Sequence, residues 1–330
     1  MSISRARAAG PLGVAAIALG LAAPAGCLAA AALAAAAPPT IVVAIAASDH
    51  SAYQKAVQSA SAAVTAALPD VRVVPMTLRE DSEAIDADEI RSNSPALVLA
   101  IGSRAARLVH ETAPEIHLVY AMVLDPASIG LPAPGSPASA SATGISLDVS
   151  FEDQFALIRA VLPAARRVGV LYDPAISGAE VRRAEGIARS QGLKLVAQAV
   201  RTSAATLDAA ELIAPSVDAV IAVADPTVLT AANTRPLILF WLRSRKPFFA
   251  MSEGFVRNGA LAALVPDAES AGRRAGEIAA AVLKGTPLTA FKPEPPPLVS
   301  LFVNKASASH LGVTLPPEIL ARAKEVFAGD

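Results

Sequence analysis

Few stretches of this chain carry residues that could do chemistry, and the most suggestive is "DAVIAVADPTVL", residues 218–229. An apolar run ends there on Asp225 and Pro226. An aspartate before a proline is a helix start, because the carboxylate accepts orphan backbone N–H groups and proline suits the first turn. The same carboxylate at the mouth of a cleft could instead hold a ligand ammonium as a charge-assisted hydrogen bond. The twelve residues alone leave both readings open. Asp49 beside His50 is the other pair of interest, since a carboxylate near an imidazole can support proton transfer.

Other chemistry-bearing patterns are few. The four histidines, His50, His110, His117 and His310, lack metal-ligand spacing. The sequence has no GxSxG elbow, no GxxxxGK phosphate loop and no GxGxxG following a strand. No enzymatic activity, metal or cofactor is expected. Trp241, in "PLILFWLRSR", and Phe248 and Phe249 read as core residues.

Composition bounds the partners. The chain has 330 residues, 28 basic and 29 acidic, with a formal net charge of -1 and only 4% aromatic residues. Such a balance, without a basic run, argues against nucleic acid. The N-terminus places Arg5 and Arg7 before an uncharged apolar stretch and a run of small residues, the order of a secretory signal peptide over residues 1–37. The single cysteine, Cys27 in "LAAPAGC", offers a lipid-attachment alternative to cleavage near Ala37. A periplasmic protein, free or lipid-anchored, is expected.

From Thr40 onward, strand-like runs ("TIVVAIAAS", "VRVVPMT", "ALVLAIGS", "IHLVYAMVLDP") alternate with helical stretches. This pattern indicates parallel sheets covered on both faces. After a Pro/Ala/Ser/Gly stretch at 126–144, read as a linker, a second series begins: "RRVGVLYDP", "LKLVAQAV", "DAVIAVADP", "KPFFAMSEG". "GALAALVP" reads as a further strand, and "DAESAGRRAGEIAAAVLKG" and the closing "PPEILARAKEVF" as helices. The fold class is therefore α/β, with two doubly wound parallel-sheet lobes joined by a multi-strand hinge. The expected division is 40–125 plus 254–290 for one lobe and 145–252 plus 298–330 for the other. Ligands of open parallel sheets bind beyond the carboxyl ends of the strands, so two such ends facing each other make a cleft.

The ordered series "IGSRAARLV", "LVYAMVLDP", "TGISL", "LPAARRVGVLYDP", "DAVIAVADPTV", "KPFFAMSEGFVRNGALAAL" and "LFVNKASASHLGV" resembles the exported substrate-binding proteins of ABC transporters. The similar branch includes tryptophan- and tyrosine-type receptors. The resemblance implies a type I periplasmic-binding fold that closes on a small amino-acid-like or anionic ligand. It also implies delivery to an inner-membrane ABC permease by a monomeric receptor. It implies site residues at strand ends: Ser48, Asp49, His50, Gly102, Ser103 and Asp125 on one lobe, and Tyr172, Asp225, Ser252 and Glu253 on the other. Arg104, after Ser103, departs from the family's usual small or apolar residue and favours a more anionic ligand. A sensing subunit docked on a membrane signalling protein is the alternative role, and an exported enzyme on the same fold the remote one.

Overall fold

The computed structural model describes residues 40–79 and 87–328. The expected signal peptide and Cys27 lie outside the described residues.

The first sheet contains β1 (Ile41–Ala46), β2 (Arg72–Thr77), β3 (Leu97–Ile101), β4 (Leu118–Val123) and β5 (Ala142–Ser146). All are parallel, in the order β2-β1-β3-β4-β5. Its inner strands are continuous apolar runs because both faces are covered. Alternate residues go opposite ways. Val42, Ala44 and Ala46 of β1 face α1 (Ser51–Ala67) and α9 (Ala268–Leu283), whereas Val43 and Ile45 join Ile90 of α2 (Ala87–Ser92) and Leu108 of α3 (Ser103–Thr112).

The second sheet runs β12-β11-β10-β9-β8-β6-β7. Its strands are β6 (Arg167–Tyr172), β7 (Lys194–Ala199), β8 (Ala219–Ile221), β9 (Phe248–Ala250), β10 (Ala262–Pro266), β11 (Val299–Asn304) and β12 (Ala323–Phe327). Only the β10–β11 pair is antiparallel. One face packs on α4 (Phe151–Val161) and α5 (Gly178–Ser190), the other on α6 (Thr206–Ile213) and α7 (Ala231–Arg243). Trp241 is fully buried in that second face, beside Phe248. The two-lobed α/β architecture expected from the alternation is present.

Three expectations change. Residues 142–146 pair in the first sheet and 254–266 lie in the second, through α8 (Glu253–Arg257) and β10. The chain therefore crosses between sheets at 147–150, not along 126–144. That Pro- and Ala-rich stretch lies against the first lobe, with Leu131 buried among its core and the Tyr120 hydroxyl donating to the Pro132 carbonyl. Its lack of period hid a packed loop. The closing "PPEILARAKEVF" is not one helix either. It forms α11 (Pro317–Arg322) and then the edge strand β12, where pairing with β11 and an Arg257 guanidinium 4.9 Å over the Phe327 ring override local helix propensity.

The longest helices meet at a small-residue contact. A methyl added to Gly272 would lie 2.2 Å from the Ala56 carbonyl oxygen, and one on Gly276 2.3 Å from that of Ala60. The GRRAG spacing thus seats α9 directly on the backbone of α1. The α9 helix is capped by Asp267, just after β10, so this contact fixes the hinge to the first lobe. A third crossing follows: Glu294 exchanges backbone hydrogen bonds with Gly144 and Ser146, and its carboxylate takes Arg274 of α9 in a two-point pair at 2.9 and 2.7 Å.

Candidate functional site

The carboxyl ends of both sheets open on a shared cavity of about 640 Å³, lined by residues of both lobes. Its first wall is the start of α1. His50 caps this helix, its Nδ1 accepting the Ala52 N–H at 3.3 Å, and no acidic residue occupies the first turn. Tyr53 follows, its ring edge-on to His50 at 6.0 Å. That ring also lies against Gly102, whose φ is +96 and where an added Cβ would meet Tyr53 at 3.1 Å. Gly102 serves the site by leaving room for Tyr53 and by taking a backbone angle that other residues resist.

The adjacent wall is the end of β4. The register slips between Ala121 and Val123, and Met122 sits there at φ 58, in the left-handed region. This bulge brings both Met122 and Leu124 into the lining. Ser103 stands behind it: its Oγ accepts the Leu124 N–H at 2.9 Å and so holds the loop.

The second lobe contributes α5, α8 and the ends of β8 and β9. Asp225, expected as a cleft-facing carboxylate, is 1% exposed. Its Oδ2 accepts the Asp173 N–H at 2.6 Å and the Ser177 hydroxyl at 2.9 Å; its Oδ1 accepts the N–H groups of Thr227 at 2.9 Å and Val228 at 3.3 Å. With four donors in place the carboxylate is saturated and braces the turn at 226–229 and the loop after β6; the helix that follows, α7, is capped by Thr230, so neither a ligand-holding nor a helix-start role is seen for Asp225. It acts at a distance, however, because Ser177 precedes α5, and Glu180 in the first turn of α5 lines the cavity.

Of the ten expected site residues, the structure brings His50, Ser252 and Glu253 into the lining. Ser48, Asp49, Gly102, Ser103, Asp125, Tyr172 and Asp225 are not among the lining residues. Ser48 accepts the His50 N–H at 3.3 Å and braces the loop, and Tyr172 packs on the second-lobe core. Glu253 is engaged by Arg257 at 2.5 Å. Arg104, expected to favour an anion, instead donates to the carbonyls of Ala47 and Arg79 and is absent from the lining.

Sequence reasoning missed Tyr53, Asp148 and Glu180. Asp148 follows β5 on the first crossing, where its Oδ1 accepts the Asp125 N–H at 3.1 Å. Burial foremost raises its carboxyl above the ordinary range, with the nearby Asp125 charge adding to the effect. Glu180 is pushed up to about 7, again by burial foremost and then by Asp148. The signal available for Asp148 was an acid directly after a buried strand, in "GISLDVS". Glu180 carried none beyond that of any acid in a helix's first turn. Among the described residues no group of three or more His, Cys, Asp or Glu side chains could hold a metal ion. No described helix is long and apolar enough to cross a membrane.

Two sheets, three crossings and a shared cleft define a bilobed binding protein. A family model described as "ABC transporter substrate binding protein" matches residues 76–327, and the chain belongs to that family. A curated relative, the tyrosine-binding protein of Clostridioides difficile (strain R20291), is 27% identical over 206 residues, covering 60% of this chain and 58% of that relative's length. Among solved structures, the ligand-free, open form of a Clostridium difficile substrate-binding protein with adhesive properties has a TM-score of 0.75 at 20% identity, covering 88% of this chain and all (100%) of that one. A Streptococcus pneumonia domain in complex with L-Trp has a TM-score of 0.68 at 21% identity, with the same 88% and 100% coverage. The solved structures establish the likeness of fold.

Proposed function

We propose that this protein is the exported solute receptor of an ABC importer, which captures an amino-acid-type ligand in the cleft and delivers it to an inner-membrane permease. The observation that carries the reading is the cavity of about 640 Å³ at the carboxyl ends of both sheets, in the size range of small-molecule sites and walled by both lobes. A ligand touching both walls binds the closed form better than the open one, and that difference drives closure.

The lining suits a zwitterion with an apolar or aromatic side chain. The first turn of α1 carries no acid, so the positive end of the helix dipole favours a ligand carboxylate nearby. Asp148 and Glu180 can receive an ammonium, and Tyr53, Met122, Leu124 and Leu147 supply the apolar surface. The name of the tyrosine-binding relative and the L-Trp in the pneumococcal structure agree with this class. The cleft residues proposed to meet ligand are therefore His50, Tyr53, Asp148, Glu180 and Ser252. Calorimetric titration against the amino acids and their deaminated and decarboxylated analogues tests the capture step. One-to-one binding of at least one amino acid is expected, and silence across the set would defeat the reading. For delivery, cells lacking the gene should lose uptake of that ligand, and unchanged uptake would remove the transport role.

A further inference from the structure

Besides Met1 the chain has three methionines, Met76, Met122 and Met251, and two of them line the cavity from opposite lobes. Met122 sits in the bulge that ends β4, at φ 58, a backbone angle that a side chain other than glycine adopts at a cost. It is only 6% exposed and packs with Val119, Ala121 and Ile145 of the first-lobe core. Met251 occupies the turn between β9, which ends at Ala250, and α8, whose cap is Ser252. It is partly exposed and belongs to no core cluster among the described residues. Met76 lies on the edge strand β2, also partly exposed, and is absent from the lining.

Resting on the amino-acid reading of the cleft, we propose that Met251 is a reversible oxidation site, at which a peroxide converts the thioether to the sulfoxide and so weakens ligand capture. The peroxide gives one oxygen atom to sulfur. Its O–O bond breaks, an S–O bond forms, sulfur gives up two electrons, and the remaining oxygen leaves as water. The described residues lining the cavity include no cysteine and no tryptophan, so the two thioethers are its most readily oxidised groups. Burial protects Met122 and leaves Met251 as the accessible one.

The sulfoxide adds a strong hydrogen-bond acceptor to a lining that includes Ala222, Val223, Ala250 and Phe302. In the open cleft, water satisfies that oxygen. Closure around a ligand strips the water away, and a polar group buried without a partner costs binding free energy. Glu253, two residues on, supplies no donor when ionised and is already engaged by Arg257. Because Met251 lies outside the core clusters, the cost falls on the bound, closed form rather than on the ligand-free fold. Oxidation of Met122 would do the opposite, by placing the same oxygen in the first-lobe core.

The test treats wild type, Met251→Leu and Met76→Leu with hydrogen peroxide and maps oxygen gain at each methionine by peptide mass spectrometry. Affinity for L-tyrosine and L-tryptophan is measured by calorimetry on each protein before and after treatment, alongside the ligand-free Tm. In wild type, Met251 should gain oxygen well before Met122, and affinity should fall about tenfold while Tm stays within about 2 °C. Methionine sulfoxide reductases should restore the affinity. Met76→Leu should respond as wild type does, whereas Met251→Leu should keep its own starting affinity through the treatment. Wild type that carries the Met251 sulfoxide and binds as tightly as before, an equal loss in Met251→Leu, a Tm that falls with the affinity, or oxygen entering Met122 first would each overturn the oxidation site. Silence of untreated wild type toward the amino acids would instead sink the amino-acid reading, and the order of oxygen gain would still decide which methionine is modified.

Discussion

Asp148 and Asp225 each follow a buried parallel strand at the cleft side of its sheet, and they have opposite fates. Asp225 is surrounded by donors: two loop N–H groups just after it, plus the Asp173 N–H and the Ser177 hydroxyl from the loop after β6. Asp148 receives one backbone N–H, from Asp125, and turns the rest of its carboxylate to the cavity. The number of donors within reach, rather than position at a strand end, separates a bracing acid from one free to meet a ligand. The contrast extends to the lobes. The first lobe builds its wall from backbone, through a capped helix start and a bulged strand. The second builds its wall from a buried carboxylate that fixes a helix start bearing Glu180.

The comparison can be broken at several points. The largest effect is expected for Asp225→Ala, which strands four donors and should cost about 3–5 kcal/mol of unfolding free energy in a denaturant titration. Binding should weaken as well, because Ser177 and the start of α5 are released. A variant with wild-type stability and weakened binding would return Asp225 to the cleft. Next comes Gly272→Ala, whose methyl meets the Ala56 carbonyl oxygen at 2.2 Å. Overpacking at a backbone contact should cost about 1–3 kcal/mol. An unchanged Tm would show that α9 can slide on α1. The smallest effect belongs to Ser103→Ala, which removes one hydrogen bond to Leu124 and should cost about 1 kcal/mol. A loss as large as that of Asp225→Ala would mean that the first lobe, too, depends on one side-chain bracket.

Much of the architecture was legible in the sequence, because continuous apolar runs alternating with amphipathic stretches leave few options beyond parallel sheets covered by helices. The errors arose where long-range contacts decide. β12 is a strand only because β11 lies beside it, and 126–144 stays with the first lobe through Leu131 and Tyr120. The site was less legible. His50, Ser252 and Glu253 reach the cavity, but nothing near Asp225 in sequence announces that Asp173 and Ser177, 52 and 48 residues away, will surround it. Glu180 looks like an ordinary first-turn acid, and only the cleft distinguishes it from Glu152 and Asp153 in the first turn of α4.

The most direct measurement compares L-tyrosine binding by calorimetry to wild type and Asp148→Asn, a change that keeps the Oδ1 acceptor for the Asp125 N–H while removing the charge. The account predicts one-to-one binding to wild type, affinity at least about tenfold weaker for the variant, and a ligand-free Tm no lower than that of wild type. Equal affinity in the two proteins would contradict it.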